Sequence, residues 1–357
     1  MFIPKTIEML GIDVDRYEQA RDMLKNGVSP KAVFKKTSCF ESPDGIQKME
    51  ISDAKARANS PMAEYNYIEK ERPALVQRYH NNEISLEDAQ AQLEKLNERR
   101  KSAIYRIENE KQGTLGYILD HDELFERLPE LRSLPVKTFD NSQSNVGGFV
   151  SNYNSQYSFD RKITLGKEQY QNPEKLLKYL LHELQHIIQI DNGWSSGGSP
   201  EMFFERSDKP EYEQLIDETV SKYKALDFKG MSQRILEEAK TLTNMPKNDV
   251  RLYLYQKVLT GEEQRTIRDY TMIVKDGENR FDKYRSLLGE IESYSVMERI
   301  GLTEEERLEQ MPYSDQKTHL KTMILGDSLY LTNQLLDQLT QEATRYLDNS
   351  EVMAVNY

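Results

Sequence analysis

Cysteine is almost missing from this 357-residue chain, with Cys39 the single example. No internal disulfide can form and no thiolate cluster can hold a metal. A reducing compartment is therefore permitted. Tryptophan is also single, at Trp194, and histidine occurs only five times. No apolar run approaches the roughly 20 residues a membrane-spanning helix needs. The start, Met1-Phe2-Ile3-Pro4-Lys5, lacks the apolar stretch of a signal peptide. Neither membrane insertion nor signal-directed secretion is expected. Positive charge is in deficit as well. A formal net charge of −12 disfavours sequence-independent contact with nucleic acid. The basic clusters Lys35-Lys36 and Arg99-Arg100-Lys101 read as solvated faces.

What is present points to a helix-rich globular protein. Hydrophobic residues make up 37% and charged residues 30%, enough apolar content for one large or two ordinary domains at this length. Within it, two of the five histidines fall in His182-Glu183-Leu184-Gln185-His186. Residues four apart share one face of a helix, so both imidazoles point the same way. Two neutral imidazoles so placed can grip one Zn²⁺, with Glu183 beside the water to be activated. Asn172-Pro173-Glu174 supplies a helix start and Asp191-Asn192-Gly193 a stop. Between them Leu176, Leu177, Leu180, Leu181, Leu184, Ile187 and Ile188 predict a largely buried helix. The bland alternative is a pair of core histidines bonded to carbonyls, with Glu183 facing solvent.

The rest of the chain reads as α+β, mostly helical. Residues 1–60 form short helices and loops, with a turn at Ser42-Pro43-Asp44-Gly45 before an extended Lys48–Ile51. Residues 61–112 read as an inserted helical hairpin, its second helix capped at Ser85. The hairpin is either a partner-binding arm or an antiparallel pair packed on the core. Residues 113–315 form the main body. A small mixed sheet is expected from Val136–Phe139, Gly148–Ser151 and Lys162–Leu165, immediately before the histidine helix. Helices follow, with breaks near Pro246 and Asp276-Gly277. Residues 316–357 give a last helix and a tail. Trp194, in the loop after the histidine helix, either covers the site or packs in the core.

A catalytic zinc needs a third protein ligand and one open position. His80, His121 and His319 carry no local signature. Glu290 follows Gly289 on a predicted helix, where a small residue allows close approach to the histidine helix. Glu292 is its rival. The two lie about 200° apart around the helix axis, so only one can face the metal. Gln189, one turn past His186, is a candidate to orient a ligand. Tyr294, Tyr313 and His319 are candidate donors to a developing oxyanion.

Four segments carry a resemblance. Asp44-Gly45 followed by Glu50-Ile51-Ser52-Asp53 is similar to a D-G-x-x-x-x-E-I-x-D pattern. Asp120–Leu131, with Leu124-Phe125 and Pro129-Glu130-Leu131, is similar to an L-F…P-E-L segment. His182–Gln189, then Gly193-Trp194 and Gly197-Gly198-Ser199, resembles H-E-I-Q-H-A-I-Q…G-F-A-x-G-G-S. Gly289–Glu292, with Arg299 and Leu302–Arg307, resembles G-E-V-E-A-R…E-E-R. Together they resemble the zincin-like large polyvalent protein-associated domain, the twenty-third of its series, found in phages and mobile elements. The likeness spans residues 35–55 and 114–315. It departs at Cys39 and Gln47, where tryptophans are usual, and at Ser293-Tyr294, where the pattern has Ala-Arg. The 61–112 hairpin and the long 200–280 stretch look like insertions.

The resemblance implies a zincin-like fold and a gluzincin-like His-His-Glu site. Zn²⁺ would be held by His182, His186 and Glu290, with Glu183 as general base. The expected activity is peptide-bond hydrolysis by a metal-activated water. The expected substrates are peptides or proteins, phage virion proteins among them, in a bacterial host's cytoplasm or the virion. Neither nucleic acid nor membrane is an expected partner. The rival expectation is a virion or mobile-element structural module that keeps the fold without turnover.

Overall fold

Two extended runs around a tight turn build the first sheet. Gly45 takes a left-handed φ of +87°, and its N–H donates to the Ser42 carbonyl at 2.8 Å. The turn joins β2 (Cys39–Glu41) to β3 (Gln47–Glu50), and β1 (Phe2–Ile3) adds on the other side of β3. The result is an antiparallel sheet of order β1-β3-β2. Helices α1 (Ile12–Lys25) and α2 (Pro30–Thr37) intervene. The sequence reading gave the turn and the extended run, and missed that β1 returns to complete a sheet.

The computed structural model describes residues 1–4, 12–142, 147–155, 158–206, 208–242, 247–316, 319–320, 322–325 and 331–349. The expected break near Pro246 and the tail past residue 349 lie outside them. The described fold is α+β, mostly helical, with small sheets. After β4 (Arg57–Ala58) come α3 (Pro61–His80) and α4 (Leu86–Asn109), antiparallel helices joined by a turn with Asn82 at φ +58°. Ser85 Oγ accepts from the Asp88 N–H at 3.0 Å and caps α4. Ile68, Leu75 and Ala103 are buried along this pair. Its Arg99–Glu64 and Arg100–Glu69 bridges are partly exposed, so solvent screens them and they add little to stability.

Next come α5 (Leu115–Ile118), β5 (Leu119–Asp120), α6 (Asp122–Arg127), β6 (Val136–Phe139), β7 (Gly148–Ser155), β8 (Ser158–Gly166) and α7 (Lys167–Gln171). Strand β8 is central, parallel to β6 and antiparallel to β7. This is the mixed sheet expected ahead of the histidine helix. That helix is α8 (Pro173–Asp191). The helices that follow are α9 (Pro210–Lys224), α10 (Phe228–Ala239), α11 (Lys247–Val258), α12 (Gly261–Thr271), α13 (Arg280–Arg285), α14 (Leu288–Arg299) and α15 (Glu304–Glu309). A turn at Gly277, φ +84°, separates α12 from α13. A short antiparallel pair, β9 (Ile324–Leu325) and β10 (Leu331–Thr332), precedes a last helix at Asn333–Asn349.

The chain divides into two compact units. One holds Met1, Ile51–Leu184 and Met297–Glu305, and contains the α3–α4 pair and the β6-β8-β7 sheet. The other holds Phe2–Glu50, Gln185–Val296 and the chain from Glu306 onward, and contains the β1-β3-β2 sheet and α9 to α13. Helices α8 and α14 each continue from one unit into the other. Among the described residues, no helix is long and apolar enough to cross a membrane.

Helix α8 has well-defined ends. Asn172 Oδ1 accepts from the N–H groups of Glu174 and Lys175, both at 3.1 Å. At the other end Gly193 takes φ +61°. There the Trp194 N–H reaches the Gln189 carbonyl at 2.9 Å and the Gly193 N–H the Ile190 carbonyl at 3.3 Å. This is the Schellman pattern, which a left-handed glycine permits. Leu176, Leu180, Leu181, Leu184, Ile187 and Ile188 are all buried, at about 1.5–3 kcal/mol each for a fully buried side chain. Asn172→Ala removes the cap and should cost about 1 kcal/mol of stability, read as a lower midpoint in denaturant unfolding. An unchanged midpoint would show that the cap is replaceable by water.

Candidate metal centre

His182 and His186 lie on one face of α8, as their spacing requires. Glu290 sits in the first turn of α14. One ligating atom from each of His182, His186 and Glu290 lies within 4.8 Å of the others, and this is the metal-capable group found among the described residues. His186 Nε2 is 3.3 Å from Glu290 Oε1. Ligand atoms held about 2.0–2.2 Å from a tetrahedral Zn²⁺ stand about 3.4 Å apart, so this separation suits a shared metal. His182 and Glu290 are buried and His186 is nearly so. Two imidazoles and one carboxylate form the donor set of a catalytic zinc that keeps a fourth position open.

Glycines admit this geometry. A Cβ on Gly197 would stand 2.1 Å from Glu290 Oε1 and 2.4 Å from His186 Cε1, so only glycine can pass there. The next residue contributes a donor: the Gly198 N–H gives a 3.0 Å hydrogen bond to Glu290 Oε1. Gly289 serves a different contact from the one expected. Its close neighbour is the loop, with Ser196 C at 2.2 Å and Gly197 N at 2.3 Å from an added Cβ. The small residue thus makes room for the 196–197 backbone rather than for α8.

Glu183 is buried, not turned to solvent. Gly148, at the start of β7, lies under it: a Cβ there would be 2.9 Å from Glu183 Oε1. The remaining histidines lie elsewhere. His121 Nε2 is 2.9 Å from Asp53 Oδ1, His80 ends α3 beside Tyr79, and His319 is outside the group.

Glu292 faces the other way, as its helical position demands. It is 1% exposed and pairs with the equally buried Lys48 ammonium from β3. It also accepts from Gln185 Nε2 at 2.7 Å and from the Tyr313 hydroxyl at 3.0 Å. Burial, and then the Glu292 charge, hold the Tyr313 phenol well above its ordinary pKa. Tyr313 therefore stays protonated and is committed to Glu292, which removes it as an oxyanion donor. Tyr294 remains a candidate. Burial raises its pKa first and the Glu290 charge adds to that, with Arg285 opposing.

Sequence reasoning did not find Lys48 or Gln185. Gln185 Oε1 accepts from the Phe2 N–H at 3.0 Å, and its Nε2 also donates to the Phe2 carbonyl at 3.1 Å. This pins β1 to α8. Gln185 could have been suspected as a polar residue inside an apolar helix. Lys48 had no local signal. Trp194 is buried, with the Lys48 ammonium 4.0 Å from its ring centroid, which is the core-packing role.

Lys48→Met should be strongly destabilising, because it leaves Glu292 buried without its cation. A cost of about 3–5 kcal/mol is typical of such a break. Lys48→Met with Glu292→Gln should recover much of the loss. Denaturant unfolding of the single and double variants measures this. Additive losses would show that the pair is not coupled.

No family model, no curated protein and no solved structure matches the chain, so the reading of this centre rests on its residues and their geometry.

Proposed function

We propose that the chain is a zinc metallopeptidase on a zincin-like scaffold, hydrolysing peptide bonds with a metal-activated water. The observation that carries this reading is the convergence of His182, His186 and Glu290 within 4.8 Å, with the buried Glu183 adjacent in sequence to a ligand. His182, His186 and Glu290 would hold the Zn²⁺, which when bound would supply Lewis-acid polarisation of the scissile carbonyl and of a water. Glu183 takes the proton from the attacking water and returns it to the leaving amine. Its burial against Gly148 keeps bulk water from competing for that proton.

Strand β7 is an edge of its sheet among the described residues. An extended peptide added to such an edge is held by main-chain hydrogen bonds, and Gly148 puts the start of this edge beside Glu183. Peptide or protein substrates fit that arrangement. The resemblance to phage polyvalent proteins makes virion proteins the first substrates to try, and the host cytoplasm or the virion the place of action.

Protein stripped of loose metal should carry about one Zn²⁺ per chain by elemental analysis. His182→Ala and His186→Ala should each lose it, and Glu290→Ala should lower the affinity steeply. Full loading in either histidine variant would remove the site assignment.

Glu183→Gln should keep zinc and lose hydrolysis by on the order of 100-fold or more, since the amide cannot take a proton. Cleavage of a peptide library and of the chain itself is the assay. Zinc-loaded parental protein that cleaves nothing would overturn the enzymatic reading in favour of a structural module.

A further inference from the structure

His186 has a second nitrogen, and two oxygens face it. Gln189 Oε1 lies 2.8 Å from Nδ1 and Ser293 Oγ lies 3.2 Å away. The orientation of the Gln189 amide is determined by its other end. Its Nε2 donates to the Gly289 carbonyl at 2.9 Å, and a carbonyl can only accept. A flipped amide would set oxygen against oxygen there. The atom facing the ring is therefore Oε1, which also can only accept, so the proton is on Nδ1. In a neutral imidazole the lone pair is then on Nε2, the nitrogen 3.3 Å from Glu290 Oε1.

We propose that Gln189 and Ser293 form a two-oxygen clasp that fixes His186 as the Nδ1–H tautomer and aims Nε2 at the metal. The inference rests on the zinc reading of the site. Both residues are positioning groups, since they act through His186. Both are 0% exposed, so water cannot take their place.

The clasp repeats one spacing on two helices. Gln189 is three residues past His186 on α8, and Ser293 is three residues past Glu290 on α14. Each helix supplies one ligand and one clasp oxygen. The Gln189 amide also holds the carbonyl of Gly289, immediately before Glu290, and so ties the two ligands together.

The orienting group for a metal-bound histidine is often a carboxylate. Here a carboxylate would set its second oxygen against the Gly289 carbonyl and repel it. An amide alone can accept from the ring and donate to the backbone. Gln189→Glu should therefore fail to replace glutamine, although it would strengthen an ordinary carboxylate–histidine pair.

The test uses the full chain and two readouts. Nitrogen-15 NMR of the metal-free protein, at a pH where the ring is neutral, should show His186 protonated on Nδ1 alone. Gln189→Met keeps the volume and should give a mixture of tautomers. Competition with a chelator should show zinc bound more weakly, on the order of 10- to 100-fold, in Gln189→Met. Gln189→Glu should also weaken zinc. Ser293→Ala, which removes a single oxygen, should lose less than Gln189→Met. Parental protein protonated on Nε2 would overturn the clasp, as would a Gln189→Met protein with the parental tautomer and affinity. Parental protein that binds no zinc would end the zinc reading instead, with the tautomer measurement still deciding the clasp.

Discussion

Two carboxylates buried two residues apart on one helix set the terms for their surroundings. Glu290 and Glu292 are each 1% exposed, and an uncompensated buried charge costs several kcal/mol. Their positions differ by about 200° around α14, so one partner cannot serve both. Glu292 is answered by the Lys48 ammonium, the Gln185 amide and the Tyr313 hydroxyl. Glu290 has the Gly198 N–H and the His186 ring. The first set is a fixed ion pair with hydrogen bonds. The second belongs to the His182, His186 and Glu290 group, whose ligating atoms lie close enough together to hold a metal ion. Because Glu292 is tied to β3, to α8 and to Tyr313, α14 cannot rotate about its axis, and Glu290 stays turned toward His186.

Glycine does on one side of Glu290 what Lys48 does on the far side of the helix. Gly289 and Gly197 leave no room for a Cβ, so the loop after α8 lies directly against the start of α14. That contact delivers the Gly198 N–H to Glu290. A backbone donor of this kind stabilises a carboxylate without adding a second cation that would repel a metal. The loop reaches this position because α8 ends sharply at Gly193, whose left-handed φ reverses the chain.

Much of this was legible in the sequence, and the reason is periodicity. His182 and His186 share a face of α8 by spacing alone, and the same arithmetic separates Glu290 from Glu292. Asn172 and Gly193 mark the helix ends because capping is local chemistry. The strands β6, β7 and β8 were readable as short β-branched and aromatic runs. What was not legible depends on distant pairing. Lys48 lies 244 residues from Glu292, and nothing local separates it from a surface lysine. Strand β1 is two residues long and exists because Gln185 and β3 both pair with it. Tyr313 reads in the sequence as a candidate oxyanion donor, and only its bond to Glu292 shows that it is committed. Gly289 was singled out as a small residue, while the backbone that needed the space could not be named.

Glu183 and Glu290 meet different surroundings within one candidate centre. Glu290 Oε1 accepts from the Gly198 N–H, which holds that oxygen in place 3.3 Å from His186 Nε2. Glu183 lies beside Gly148: the site of an added Gly148 Cβ is 2.9 Å from both Glu183 Oε1 and Leu165 Cδ2. What each side chain packs against sets the two carboxylates apart, with α8 keeping Glu183 next to His182 of the metal-capable group.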